Sequence, residues 1–392
     1  MARVGRIHTP HGAVDTPSFV PVATNAALKG VDFRSTGPDR VPGHLVFANT
    51  YHLLLQPGSG VVRDAGGIHK FTGREDGPFI TDSGGFQVFS LAYGSVREES
   101  GWGAGGEGGE LKRARDRRSW GRPGWRTDVV GRDAVQVTEE GATFRSYRDG
   151  SRVLLTPEST VEAQKDIGAD IIVPLDELPP YHIDRERLEE SVERSHRWEA
   201  RSLRTHLGDV REQAMYSVIH GGVDRELRTK SVEYLTSLPF DGHAIGGSLG
   251  SGREELAELL GWMMPLFDLT GSRRRKPRHL LGIGDEPSIR NAVPLGLDTF
   301  DSSYPTRLGR HGTLLTRRGL LRIKRGGNAR AFGAKIDEEC TCRTCQRYDR
   351  AYLCHLFKAR EPLGIMLATE HNLQYMSDLM AELRTDILED LL

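Results

Sequence analysis

Apolar and β-branched residues gather into short runs along the chain, and several of those runs end on a polar residue or a glycine. They span Ser18 to Thr24, His44 to Thr50, Pro78 to Gly84, Asp170 to Glu177, Ala214 to Gly222, Gly242 to Ser248, His279 to Gly284 and Asp298 to Pro305. Between most of them lie stretches with helical character. Pro157 to Gly168 follows Thr156 as a cap, with Glu158 in its first turn, and Ile183 to Leu203 is a long amphipathic pattern. Arg253 to Phe267 repeats apolar residues at helical spacing. Strands alternating with helices predict parallel pairing and an α/β architecture. Eight such runs favour a closed (β/α)8 TIM barrel over an open doubly wound sheet. Such a barrel carries its catalytic residues at the C-terminal ends of its strands, where Asp82, Asp176, His220 and Asp301 fall.

From about Gly94 to Asp133 the rhythm breaks into Gly, Arg and Glu, with Trp102, Trp120 and Trp125 interspersed. Basic residues among aromatics can stack on single-stranded RNA. The same composition predicts a flexible insertion in a barrel loop, which is the expectation here. The rest divides into a barrel over residues 1–335 and a metal-binding subdomain with C-terminal helices over 336–392. At 392 residues with a net charge of −1, the chain has no basic excess, so any grip on nucleic acid must come from local patches. No stretch approaches the roughly 18 apolar residues of a membrane span. Met1-Ala2-Arg3-Val4-Gly5 opens without an apolar leader, so a cytoplasmic protein with no membrane partner is expected.

All 4 cysteines lie near the C-terminus, which suits a metal site better than a disulfide framework. Cys340, Cys342 and Cys345 form a Cys-x-Cys-x2-Cys knuckle whose tight turn points three sulfurs inward. Cys354, His355 or His371 can supply a fourth ligand. Cys354 and His355 lie in a helical run, Arg350 to Lys358, beside large apolar residues, whereas His371 can line a later helix folding back on the knuckle. Four protein ligands leave no open position, so the ion, Zn2+, would be structural.

Asp82-Ser83-Gly84-Gly85-Phe86-Gln87 sets a carboxylate at a strand end, before glycines that let a ligand approach the backbone. Asp301 closes the last strand and Asp176-Glu177 supplies a third acidic end. An aspartate capping a loop or helix explains any one of these. Three facing one cavity suit chemistry at a sugar anomeric carbon, where one carboxylate attacks and another moves protons.

At these residues the sequence resembles the tRNA-guanine transglycosylases. The likeness runs through Thr9-Pro10-His11-Gly12, Ala48-Asn49-Thr50-Tyr51-His52-Leu53-Leu54, Asp82 to Leu91, Thr143-Phe144-Arg145-Ser146, Phe300-Asp301, Pro305-Thr306-Arg307, the cysteine knuckle and His371-Asn372-Leu373. The resemblance implies a barrel enzyme that replaces guanine at the anticodon wobble position of tRNA with a 7-deazaguanine base. It makes Asp301 the nucleophile on C1′ and Asp82 the general acid/base. Asp176 reads the base's Watson–Crick edge, helped by Gly246 and Gly247, while Phe86, Gln87, Leu281 and Gly282 line the slot. Cys340, Cys342, Cys345 and His371 become the zinc ligands, with Cys354 a spectator.

Two pocket positions depart from the common bacterial pattern: His220 replaces a base-binding Gln, and Leu178 replaces a Cys. A neutral imidazole offers one donor and one acceptor, as the amide does, in a different geometry. With Asp176-Glu177-Leu178-Pro179-Pro180, this resembles a divergent branch, for which queuine is expected ahead of preQ1 as incoming base. Arg307, the Arg273-Arg274-Arg275-Lys276 run, Arg317-Arg318, and Arg322 with Lys324 and Arg325 are candidate phosphate contacts. The expected assembly is a homodimer or a heterodimer with a paralogous subunit. Two rivals differ in kind: a metal-dependent barrel hydrolase needs an open metal site at the strand ends, and a non-catalytic partner subunit should lack Asp301 or Asp82.

Overall fold

The structure is a computed structural model that describes residues 1–33, 45–93, 135–269 and 276–392. The Gly94 to Asp133 insertion and Arg273, Arg274 and Arg275 lie outside the described residues. Eight parallel strands form one sheet: Ser18–Pro21, Val46–Ala48, Phe79–Thr81, Ile171–Ile172, Ala214–Ile219, Gly242–Ile245, Arg278–Leu280 and Thr299–Ser302. The last strand pairs with the first, Asp301 opposite Val20, and a bridge between Val22 and Phe47 closes the ring. Seven strands fall within the runs expected from the sequence and the eighth, Arg278–Leu280, begins one residue before its run, so the (β/α)8 barrel stands.

Alternation along the strands sorts side chains by face. Leu280 and Phe300 pack outward into the layer between sheet and helices, with Ile172, Ile219, Ile245 and Leu256. Val20, Phe47, Ile80, Ile171, Val218 and Ala244 form a second, inner cluster. Val14 and the half-buried Ile7 of an antiparallel hairpin, Gly5–Thr9 with Gly12–Thr16, join that cluster and plug the barrel's N-terminal end. With Phe300 turned out, Thr299 and Asp301 turn in.

The connecting helices start where capping chemistry allows. Pro157–Ile167 begins at Thr156, whose hydroxyl accepts from Ser159 N while the Ser159 side chain returns the bond. Asp184 caps the long helix Arg185–Gly208, and Asp224 caps Arg225–Ser237. The final helix, Pro362–Leu388, spans two cores. Leu373, Met376, Leu379 and Leu383 enter the barrel's outer layer, while Leu367 and Ala368 join Leu314, Ile323, Ile336 and the cysteines. The metal region is therefore fastened to the barrel by one continuous helix. Among the described residues no helix is long and apolar enough to cross a membrane.

Candidate active site and metal centre

The three carboxylates meet at the C-terminal mouth of the barrel, each held by neutral donors. Asp82 follows the strand Phe79–Thr81. Its Oδ2 accepts from Asn49 Nδ2 at 2.7 Å and its Oδ1 from Thr50 N at 2.8 Å, and Gln87 bonds the same carboxyl. Desolvation outweighs these bonds and, with the charge of Asp301, pushes Asp82 up to about 6. Asp176 is pushed up to about 7, first by desolvation and then by Asp82. Asp301 thus acts on Asp82 and Asp82 on Asp176, which links the three groups.

Asp301 stands on the last strand and is buried. Gly282 N donates to its Oδ1 at 2.9 Å, and His279 Nε2 lies 3.1 Å from the same oxygen. His279 Nδ1 meets Thr299 Oγ1 at 2.8 Å. A hydroxyl donating to Nδ1 leaves the ring proton on Nε2, aimed at Asp301. Oδ2 of Asp301 accepts no hydrogen bond among the described residues, so this carboxylate is oriented through one oxygen and open at the other.

Glycine is required at two points. Gly84 has φ 87°, and a Cβ there would stand 3.0 Å from Tyr51 N. Gly282 has φ 76°, the left-handed turn that aims its N–H at Asp301. Gly246 has no room either, since a Cβ would meet Val218 Cγ1 at 2.5 Å.

His220 ends the strand Ala214–Ile219 and is fully buried, with Nε2 3.3 Å from Asp176 Oδ2. Burial holds its pKa well below the usual value, and the nearby Arg228 guanidinium pushes the same way. Gly247 adjoins its Nδ1. Arg228 is itself fully buried and donates to the carbonyls of Gly222, Ile219, Gly246 and Ser248 at 2.6–2.9 Å. It staples together the two loops that carry His220 and Gly246–Gly247.

The other expected pocket residues divide. Phe86 is exposed at the start of helix Gly85–Tyr93, Gln87 reaches Asp82, and Leu281 is half-buried beside the exposed Gly282. Leu178 packs among Tyr51, Val88, Phe89, Phe144 and Trp198.

Arg307 lies on the helix Tyr304–His311 that follows the Asp301 strand, close enough to Arg310 to lower its pKa after desolvation has done so. Arg310 in turn acts on Lys29, and Lys29 on His52. This line of like charges marks one side of the mouth. Arg322, Lys324 and Arg325 are exposed and form no ion pair among the described residues, whereas Arg317 is occupied by Glu339 and Glu382. Asn49, His279, Arg228, Lys29 and Arg310 were not singled out from sequence. An Asn directly after an apolar run, and a polar residue at the head of a strand run three residues before Gly282, were the available signals for Asn49 and His279.

Cys340, Cys342, Cys345 and His371 are all buried and converge. His371 Nδ1 stands 3.6, 3.5 and 3.4 Å from the three sulfurs in turn. A tetrahedral ion with metal–sulfur and metal–nitrogen lengths near 2.3 and 2.0 Å separates S from N by about 3.5 Å, so the residues fit a metal. His371 Nε2 donates to Leu315 O at 2.7 Å, which turns the Nδ1 lone pair to the cysteines. Cys354 is buried outside this group, and His355 is exposed. Next to the ligand, Asn372 donates to the carbonyls of Pro305 and Thr313 and accepts from Leu315 N, tying the centre to the helix after Asp301.

A second cluster, His11, His69 and Asp170, lies at the opposite end of the barrel. Each imidazole bonds one Asp170 oxygen, at 2.8 and 2.9 Å, and the rings stack 3.4 Å apart at 11°. Parallel rings hold their lone pairs parallel, so they do not converge on an ion. This is a carboxylate-bridged stack behind the site.

The chain is thus a (β/α)8 barrel with a carboxylate-lined mouth and an attached Cys3His metal centre. The family described as "Queuine tRNA-ribosyltransferase" matches residues 1–102 and 118–392. The queuine tRNA-ribosyltransferase of Protochlamydia amoebophila (strain UWE25) is 53% identical over 391 residues, covering 100% of this chain and 93% of the relative. Those of Chlamydia felis and Chlamydia trachomatis serovar L2 are 48% and 46% identical, each over 99% of this chain and 95% of the relative. The chain belongs to the queuine tRNA-ribosyltransferase family, and it is an enzyme of the pentosyltransferase class.

Two outcomes follow from the geometry. Cys345→Ala should abolish stoichiometric metal, measured by elemental analysis, and cost about 2 kcal/mol or more of stability; a variant that keeps a full metal complement rules out this ligand set. Asp82 and Asp176 hold protons to higher pH when folded than their ordinary 3.8. Their stabilising contribution is complete below that value and is lost as pH rises through about 6 and about 7. Asp176→Asn should therefore gain on the parent by about 2 kcal/mol between about pH 5 and about pH 8 in denaturant titrations. A pH-independent difference would remove Asp176 from the set of strained carboxylates.

Proposed function

We propose that the chain exchanges guanine at the wobble position of tRNA, position 34, for a free 7-deazaguanine base through a covalent enzyme–RNA intermediate. The observation that carries this reading is Asp301, fixed through Oδ1 by Gly282 and His279 and open at Oδ2. Oδ2 attacks C1′ of the ribose. The C1′–N9 bond breaks, its electron pair leaves with guanine, and Asp82 supplies the proton the departing base needs. A pKa of about 6 suits Asp82 to give up and retake that proton near neutral pH. The incoming base loses a proton to Asp82, attacks C1′ and releases Asp301, so protons balance over the cycle. Asp176 accepts from the N–H groups of the base's Watson–Crick edge, with the Gly246–Gly247 backbone, His220, Phe86, Gln87, Leu281 and Gly282 around it.

The target base has to leave its stack to reach a barrel mouth, at a cost of a few kcal/mol. Arg307, with Lys29 and Arg310, is placed to hold the phosphates on either side of it, and Arg322, Lys324 and Arg325 to grip the stem farther out. Zn2+ is the ion we assign to the Cys3His centre, since a sulfur-rich tetrahedral set favours it. It stands apart from the carboxylates and keeps the last helix and Asn372 in place. Queuine is the proposed incoming base, ahead of preQ1, with His220 in place of an amide and Pro179–Pro180 beside it widening the recognition surface. The test is incorporation of labelled guanine into tRNA, followed by its displacement with queuine or preQ1. Wild-type protein should incorporate label and favour queuine in kcat/KM. A strong preference for preQ1 contradicts the base assignment, and absence of any exchange contradicts the activity.

A further inference from the structure

The long helix Arg185–Gly208 carries Glu199 directly behind His220, and Glu199 is fully buried. Its Oε2 accepts from Val218 N at 2.9 Å. Among the described residues its Oε1 has no hydrogen-bond partner, and neither has Nε2 of His220, which lies 3.7 Å away. Two buried polar atoms that face each other unpaired are rare in a folded protein, because each forfeits its bonds to water.

The protonation that pairs them follows from what surrounds them. Arg228 is the cation beside this group, and its guanidinium is committed to four backbone carbonyls. A carboxylate anion at Glu199 would stand buried without a counter-charge, so the neutral acid is the stable form, and burial raises its pKa well above the usual range. Oε2 is occupied as an acceptor, which leaves the proton on Oε1, facing the ring.

We propose that Glu199 is a positioning residue for base recognition: its Oε1–H donates to Nε2 of His220 and fixes the ring proton on Nδ1. The 3.7 Å gap closes with a small side-chain rotation. Two consequences follow. Nδ1–H becomes a donor beside Gly247, on the loop of the proposed base pocket. Nε2 has no proton to give Asp176, although Oδ2 lies 3.3 Å away, so that carboxylate keeps its lone pairs for the N–H groups of the base. Without Glu199, the ring is free to place its proton on Nε2, and His220 then competes with the base for Asp176. The second consequence rests on the role proposed above for Asp176; the tautomer does not.

The experiment joins a structural and a kinetic readout. Ring nitrogens of the 14 histidines are labelled with 15N, and the His220 signals are assigned by their loss in His220→Gln. Wild type should show a protonated Nδ1 and a bare Nε2. Glu199→Gln keeps an acceptor for Val218 N and an N–H donor for Nε2, so it should keep both the tautomer and the KM for free guanine. Glu199→Leu should raise that KM about tenfold with kcat nearly unchanged, because it leaves Asp301 and Asp82 untouched. A wild-type ring protonated on Nε2 overturns the proposal, even if the Leu variant fails to fold. So does a Gln variant as impaired as Leu, or a folded Leu variant with unchanged KM. Wild-type protein with the expected tautomer and no exchange activity would instead overturn the functional reading and leave the Glu199–His220 bond standing.

Discussion

Asp82, Asp176 and Asp301 share one partly desolvated mouth, and among the described residues no lysine or arginine forms an ion pair with any of them. Nearly everything around them answers that constraint. Hydrogen bonds orient the groups: Asn49 and Thr50 donate to Asp82, and Gly282 donates to Asp301 with the His279 ring beside the same oxygen. Lacking counter-charge, two of the carboxyls hold protons far above the ordinary range. A lysine in the mouth would stabilise the fold and would also hold the carboxylates ionised, removing the acid that glycosyl exchange needs.

The scaffold supplies the rigidity that such a site demands. Barrel closure sets Asp301 against Val20 on the neighbouring strand, and positive-φ glycines at Gly84 and Gly282 bring backbone and carboxylate together. Arg228 uses its charge entirely on backbone carbonyls, locking two loops where a hydrophobic side chain could not. From the far side, the Cys3His centre fixes His371 and its neighbour Asn372, whose amide holds Pro305 four residues beyond Asp301. Metal and reaction centre are thus linked mechanically, through one helix turn.

The barrel was legible because its strands are compact apolar or β-branched runs, several of them ending on a polar residue or a glycine, a pattern that survives in one dimension. The cysteine knuckle was legible from spacing, and the three catalytic candidates from their place at run ends together with a family likeness. What escaped is informative. Glu199 and Arg228 sit in helices dense with charged residues, where they read as solvated faces; only tertiary packing shows that they point inward. His279 was hidden inside an apolar run. The antiparallel strands Val135–Val137, Ala142–Arg145 and Arg152–Leu155 are too short and too mixed in polarity to stand out. Leu178 was expected in the pocket from its place after Asp176-Glu177, and its side chain packs with Tyr51, Val88, Phe89, Phe144 and Trp198.

The central claim is that a carboxylate open at one oxygen becomes covalently joined to RNA. Its most direct test is to quench protein and tRNA during turnover in denaturant, digest both, and locate any cross-linked nucleotide by mass spectrometry. A ribose-linked mass should appear on the peptide that contains Asp301 and be absent from Asp301→Asn. An adduct on any other residue, or one that survives that substitution, would contradict it.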